Sequence, residues 1–126
     1  MQPESAVDAY KAAALENAPP LKILRMLYQG ALRFIDQAAA MDPKTEPAAF
    51  NAKVGRVDDI LTELRCSLNH EPAPELSRQL EALYEFSQER LSRAVTERSV
   101  EPLADARAVL SRLLEGWSAI DLRGQS

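Results

Sequence analysis

The residues able to carry chemistry are few and scattered. The one histidine, His70, stands beside Glu71-Pro72 at an expected helix end. A zinc site needs three or four ligands at set spacings, and none converge on it. The one cysteine, Cys66, allows no disulfide within the chain. It has no histidine or aspartate spaced to activate it, so it reads as a structural thiol. Asp58, Asp59 and Glu63 are neighbouring acids on a helix and read as a solvated face. No Glu-x-x-His pair occurs, which excludes the usual di-iron bundle pattern. There is no glycine-rich phosphate loop. The sequence therefore predicts no catalytic residue, no metal ligand and no cofactor, and argues against an enzyme. The chemistry left is the burial of apolar surface.

That chemistry concentrates in Leu24–Ile35. At about 100° per residue, Leu24, Leu27, Tyr28, Ala31, Phe34 and Ile35 fall on one broad helical face. Ile23, Met26 and Gly30 fall on or toward the other side, with Met26 roughly 140° from the centre of the first face. A surface helix needs one apolar stripe. This helix has enough for two partners, the body of the protein and something further, either another piece of this chain or a different protein. Gly30 costs about 1 kcal/mol inside a helix, and its missing side chain suits the close approach of another backbone. The expectation is a groove floored by Ile23, Met26 and Gly30, with Ile60, Phe86, Val109 and Leu114 as further surface candidates on the flanks of other helices. A groove of that kind fits an amphipathic helix or a helix-forming tail.

The elements that position these residues follow from punctuation and periodicity. Residues 1–18 form an arm with one face from Val7, Tyr10, Ala14 and Leu15, too short to hold a helix without docking. Pro19 or Pro20 opens a helix that runs to about Met41. Thr45, as N-cap, starts a second helix with the seam Phe50, Val54, Val57, Leu61, Leu64, Leu68, ending near Asn69-His70. Pro74 opens a third, running to about Arg98, with Leu76, Leu80, Leu83, Ser87, Leu91 and Ala94 on its seam and Tyr84 and Val95 beside it. Ser99 caps a fourth, with the seam Leu103, Ala106, Leu110, Leu113, Trp117, Ile120 and a glycine stop at Gly124. Helices of this length joined by short connections pack as antiparallel neighbours. The fold expected is all-α: an antiparallel four-helix bundle over residues 19–121 with a short N-terminal helical arm, in one domain spanning 1–126.

Bulk properties agree. The 126-residue chain is 46% hydrophobic but only 6% aromatic, and Leu and Ala dominate, which favours helices. A net charge of −4 disfavours nucleic acid as a partner, because phosphate neutralisation needs a basic patch. Residues 1–9 have neither the basic start nor the apolar run of a signal peptide, and no stretch approaches a membrane span. A cytoplasmic protein without membrane insertion is expected.

Several of these stretches resemble the FliS family of flagellar secretion chaperones. Pro20-x-x-Ile23-x-x-Met26-Leu27-Tyr28-x-Gly30-Ala31-Leu32-Arg33-Phe34-Ile35 is similar to the family's first-helix signature. Ala9-Tyr10-Lys11 and Asn17 sit where the family has an N-terminal tyrosine segment. Ile60-Leu61-Thr62-Glu63-Leu64-x-x-Ser67-Leu68-Asn69, Leu80-x-x-Leu83-Tyr84-x-Phe86, Arg90-Leu91-x-x-Ala94 and Trp117 follow the family pattern in order. The chain departs from it at Pro19, at Leu21-Lys22, at Pro72 and Pro74, and at Val95.

The resemblance implies a helical bundle that binds the disordered C-terminal segment of flagellin, prevents its early polymerisation and delivers it to the flagellar type III export gate. It implies gate docking for Tyr10. The free protein would be a monomer or weak dimer. From the residues alone, two alternatives stand beside it: an adaptor or regulatory bundle for another amphipathic helix, and a structural homo-oligomer.

Overall fold

The structure is a computed structural model that describes residues 21–69 and 71–125, with side chains described as far as residue 119. The arm at 1–18, Tyr10 and His70 lie outside the described residues. Four helices follow one another: α1 (Leu21–Ala39), α2 (Pro47–Cys66), α3 (Pro74–Glu97) and α4 (Glu101–Gln125). They form the all-α helical bundle expected.

Each helix begins and ends for a local reason. Pro47 and Pro74 lie in the first turns of α2 and α3, where a missing N–H leaves no hydrogen bond unmade. The turn before α2 is held by Asp42, whose carboxylate accepts from the Lys44 backbone N–H at 2.9 Å and whose carbonyl accepts from Glu46 at 2.9 Å. Glu46, not Thr45, is the N-cap residue of α2, and no side chain caps it. Ser99 does serve the start of α4, its hydroxyl accepting from the Glu101 N–H at 3.2 Å. Arg98 ends α3 in the left-handed conformation, with φ 52°. Two expected ends differ. Helix α2 stops at Cys66, short of Asn69-His70, and α4 runs on through Gly124 to Gln125. A glycine stops a helix when it turns left-handed after the last residue; here the ladder carries through it.

The helices form a square. Helix α1 packs on α2 and α4, and α3 packs on the same two. Consecutive helices run antiparallel: Gly30 lies against Ile60, while Phe34, four residues later, lies against Lys53 and Arg56, earlier on α2. The core is what the seams dictate. Tyr28, Ala31 and Ile35 of α1, Phe50, Val57, Leu61 and Leu64 of α2, Leu91 and Ala94 of α3, and Leu103, Ala106 and Leu110 of α4 are all buried.

One polar cluster sits within that core. The Trp117 indole N–H donates to the Tyr28 hydroxyl at 3.0 Å, and the Tyr28 and Tyr84 hydroxyls hydrogen-bond to each other. Their three side chains tie α1 to α4 and, across the square, to α3. This cluster corrects the α3 seam. Tyr84 is 1% exposed and Leu83 is 36% exposed, the reverse of the expected order. A buried hydroxyl needs a partner, and Tyr28 supplies one to the residue at 84.

Candidate functional site

The candidate site is built on α1. Its core face is supplied by Leu21, Tyr28, Ala31, Ile35 and Ala38. Leu24, Leu27 and Phe34 are half-buried and pack on the edges of the core. With that face complete, Ile23 remains 44% exposed and Met26 58% exposed. Both precede Gly30 by one or two turns, at four and seven residues, and so lie within about 40° of its direction around the helix. That direction is toward α2, because Gly30 lies against Ile60.

Gly30 itself corrects the expected groove. It is buried, not an open floor, because the Ile60 side chain of α2 closes over it. A Cβ built at Gly30 would meet Ile60 Cδ1 at 3.7 Å and Arg33 Nη2 at 3.9 Å, which is ordinary contact. The glycine is therefore not required by α1–α2 packing. The exposed surface consists of Ile23 and Met26, with half-buried Ile60 as its far wall on α2.

The remaining candidates do not join this face. Phe86 is 44% exposed on α3 and Val109 is half-buried on α4. Arg90 of α3 pairs with Asp105 of α4 at 3.0 Å. Phe86 precedes Arg90 by one turn and Val109 follows Asp105 by one turn, so in antiparallel helices the two stand level on the α3–α4 side. The exposed Leu83 adds to this second apolar area. Leu114 is two turns beyond Arg107, which pairs with Asp36 of α1 at 2.7 Å. It therefore faces α1, half-buried against the core. Seven of the eight candidates thus divide between the α1–α2 side, the α3–α4 side and the α1–α4 seam, and the eighth, Tyr10, is outside the described residues.

Other features were not singled out from the sequence. A groove of about 350 Å³ opens between α2 and α3, lined by Val54, Gly55, Asp58, Gln88, Leu91 and Val95. Gln88 bridges its edge, accepting from Arg65 at 2.9 Å and donating to Asp58 at 3.0 Å and Thr62 at 3.1 Å. The signal available in sequence was Gly55, which has open space around it. Phe34 carries three cations around its ring: the Arg33 guanidinium at 5.6 Å, Lys53 Nζ at 5.5 Å and the Arg56 guanidinium at 5.5 Å. The first neighbours Phe34 in sequence; the other two come from α2 and gave no sign of it. Cys66, read as a structural thiol, is exposed at the last residue of α2.

Electrostatics add little to catalysis and something to assembly. Asp36 is held below the usual carboxylate range by its hydrogen bond from Arg107, and Arg107 is raised in turn. Among the described residues no group of three His, Cys, Asp or Glu side chains could hold a metal ion, and no helix is long and apolar enough to cross a membrane.

The first helix of this bundle is apolar on two sides, and one of them is left uncovered by the described residues. Comparison with known proteins gives the chain a family. The family model described as "Flagellar protein FliS" matches residues 3–124. The chain is 30% identical to the flagellar secretion chaperone FliS of Campylobacter jejuni, over 95% of its own length and 94% of that protein's. It is 28% identical to the FliS chaperone of Vibrio cholerae, covering 90% and 87%, and 29% identical to the chaperone FliSB of Pseudomonas aeruginosa, covering 86% of each. The chain belongs to the FliS family of flagellar secretion chaperones, which is a chaperone family and not an enzyme family.

Proposed function

We propose that this protein is a cytoplasmic, non-enzymatic export chaperone that binds the disordered C-terminal segment of flagellin. Binding buries apolar faces of that segment, which removes the surface it needs to polymerise early, and the complex is delivered to the flagellar export gate. The observation that supports this reading most is the exposure of Ile23 and Met26 on a helix whose core face is already complete. Fully burying one side chain of that size stabilises a complex by about 1.5–3 kcal/mol. A handful of such anchors, less the cost of ordering the client, gives micromolar or tighter binding. Ile60 forms the wall of the client surface beside Gly30. Phe86 and Val109, with Leu83, offer a second stretch of apolar surface on the opposite side of the bundle, which a long unfolded segment can reach by wrapping around it. Leu114 supports the α1–α4 seam. Tyr10 is assigned to gate docking.

The test is to mix the protein with a synthetic peptide of the flagellin C-terminal segment and follow helicity and stoichiometry. The expected result is a gain of helix on mixing, saturating at one peptide per chain. No helix gain and no binding, or a stable homodimer that the peptide leaves unchanged, contradicts the proposal. In Tyr10→Ala, client binding is expected to survive while delivery to the gate falls; equal loss of both contradicts a separate docking role.

A further inference from the structure

The cations around Phe34 lie on the same side of the bundle as Met26. Arg33 is seven residues beyond Met26, two turns on, within about 20° of it around the helix and roughly 10 Å along it. Arg56 and Lys53 converge from α2 on the same ring. The chain as a whole is acidic, with a net charge of −4. Four other arginines meet carboxylates: Arg65 with Glu85, Arg90 with Asp105, Arg93 with Glu89 and Glu97, and Arg107 with Asp36. Arg78, Arg98 and Arg112 meet none among the described residues, but they do not gather on a ring. Arg33, Lys53 and Arg56 make no ion pair with any described residue, and the ring is their shared contact. An aromatic ring attracts a cation above its face. It has two faces, and three like charges gathered on it repel one another. An anion brought among them relieves that repulsion and gains charge-assisted hydrogen bonds.

We propose that Arg33, Lys53 and Arg56 form the carboxylate-receiving end of the docking surface whose apolar end is Ile23, Met26 and Ile60. The occupant is an amphipathic helix of the client, carrying an acidic side chain about two turns from its apolar anchor and on the same face. Charge complementarity selects it: apolar anchors alone fit one end of the surface, and the other end is cationic. This rests on the assignment of the α1–α2 side to the client. It also makes part of the affinity salt-dependent, which a purely apolar contact is not.

The test uses the flagellin C-terminal peptide, with Kd measured from low to high salt. In the variant Arg33→Gln/Lys53→Gln/Arg56→Gln, Kd is expected to rise roughly tenfold at low salt, with little dependence on salt remaining. A peptide with its acidic residues changed to amides is expected to show the same loss on the wild-type protein, and no further loss on the triple variant. That arm leaves the fold of the chaperone untouched. Equal Kd values and equal salt dependence for wild type and triple variant overturn the inference while leaving the client assignment standing. If amidating the peptide's terminal carboxylate alone reproduces the loss, the acidic side chain is the wrong group and the inference fails in that form. If the wild-type protein does not bind the peptide, the client assignment fails and takes this inference with it.

Discussion

Met26 is a long apolar side chain held in water by a rigid helix, 58% exposed where α1 faces away from its own core. Replacing it by a charged residue costs the free protein little, since most of its surface is already in water. The variant Met26→Asp is therefore expected to keep its helicity and thermal midpoint. Gly30 is a different case. Its backbone is helical, and a methyl group there meets only ordinary contacts from Ile60 and Arg33. Gly30→Ala is expected to stabilise the bundle by about 0.5–1 kcal/mol, read as a higher urea midpoint at unchanged slope. Loss of client affinity in that more stable variant would locate the use of the glycine in the complex. The exposure of Met26 was legible in the sequence because its angle from the core face is large. The burial of Gly30 was not, because it depends on which residue of α2 arrives opposite, and helical periodicity does not carry that register.

At the scale of elements, a few polar contacts join the helices across their apolar seams. The Tyr28 hydroxyl joins Trp117 of α4 and Tyr84 of α3. Tyr28→Phe removes both bonds from buried groups and is expected to cost about 1–3 kcal/mol, measurable by denaturant unfolding. The Leu83 and Tyr84 reversal shows why this cluster was hidden. From Leu80 a seam can step three residues or four, and hydrophobicity alone favours the leucine at 83. The hydroxyl partner that decides for Tyr84 is 56 residues away in sequence. On the α1–α4 seam, the Asp36–Arg107 pair is half-exposed and contributes roughly 0–1 kcal/mol. Because the Asp36 carboxyl is held below its ordinary value, its contribution is present above the usual carboxylate pKa and fades as pH falls through the lowered value. Arg107→Gln is thus expected to be slightly less stable than wild type at neutral pH and equal to it in strong acid, as read by urea midpoints at both pH values.

At the scale of the whole molecule, the four helices, their order and most of the core were legible, because seams stepping three and four residues leave few other ways to bury themselves. The surface was less legible. Ile23 and Met26 are exposed as expected, while Phe86 and Val109 stand on the opposite side and Leu114 supports a helix contact. Arg33, Lys53 and Arg56 gather only once α2 folds back along α1. A bundle of this kind offers apolar surface on two opposite sides and a cationic end on one of them, which suits a partner that arrives unfolded and wraps. The most direct test is calorimetric titration of the flagellin C-terminal peptide into the wild-type protein and into Met26→Asp, with circular dichroism on both. The expected result is saturable binding to the wild type and binding at least about tenfold weaker in the variant, at equal helicity. Equal affinity in a folded Met26→Asp variant would contradict the assignment of the uncovered side of α1 to the client.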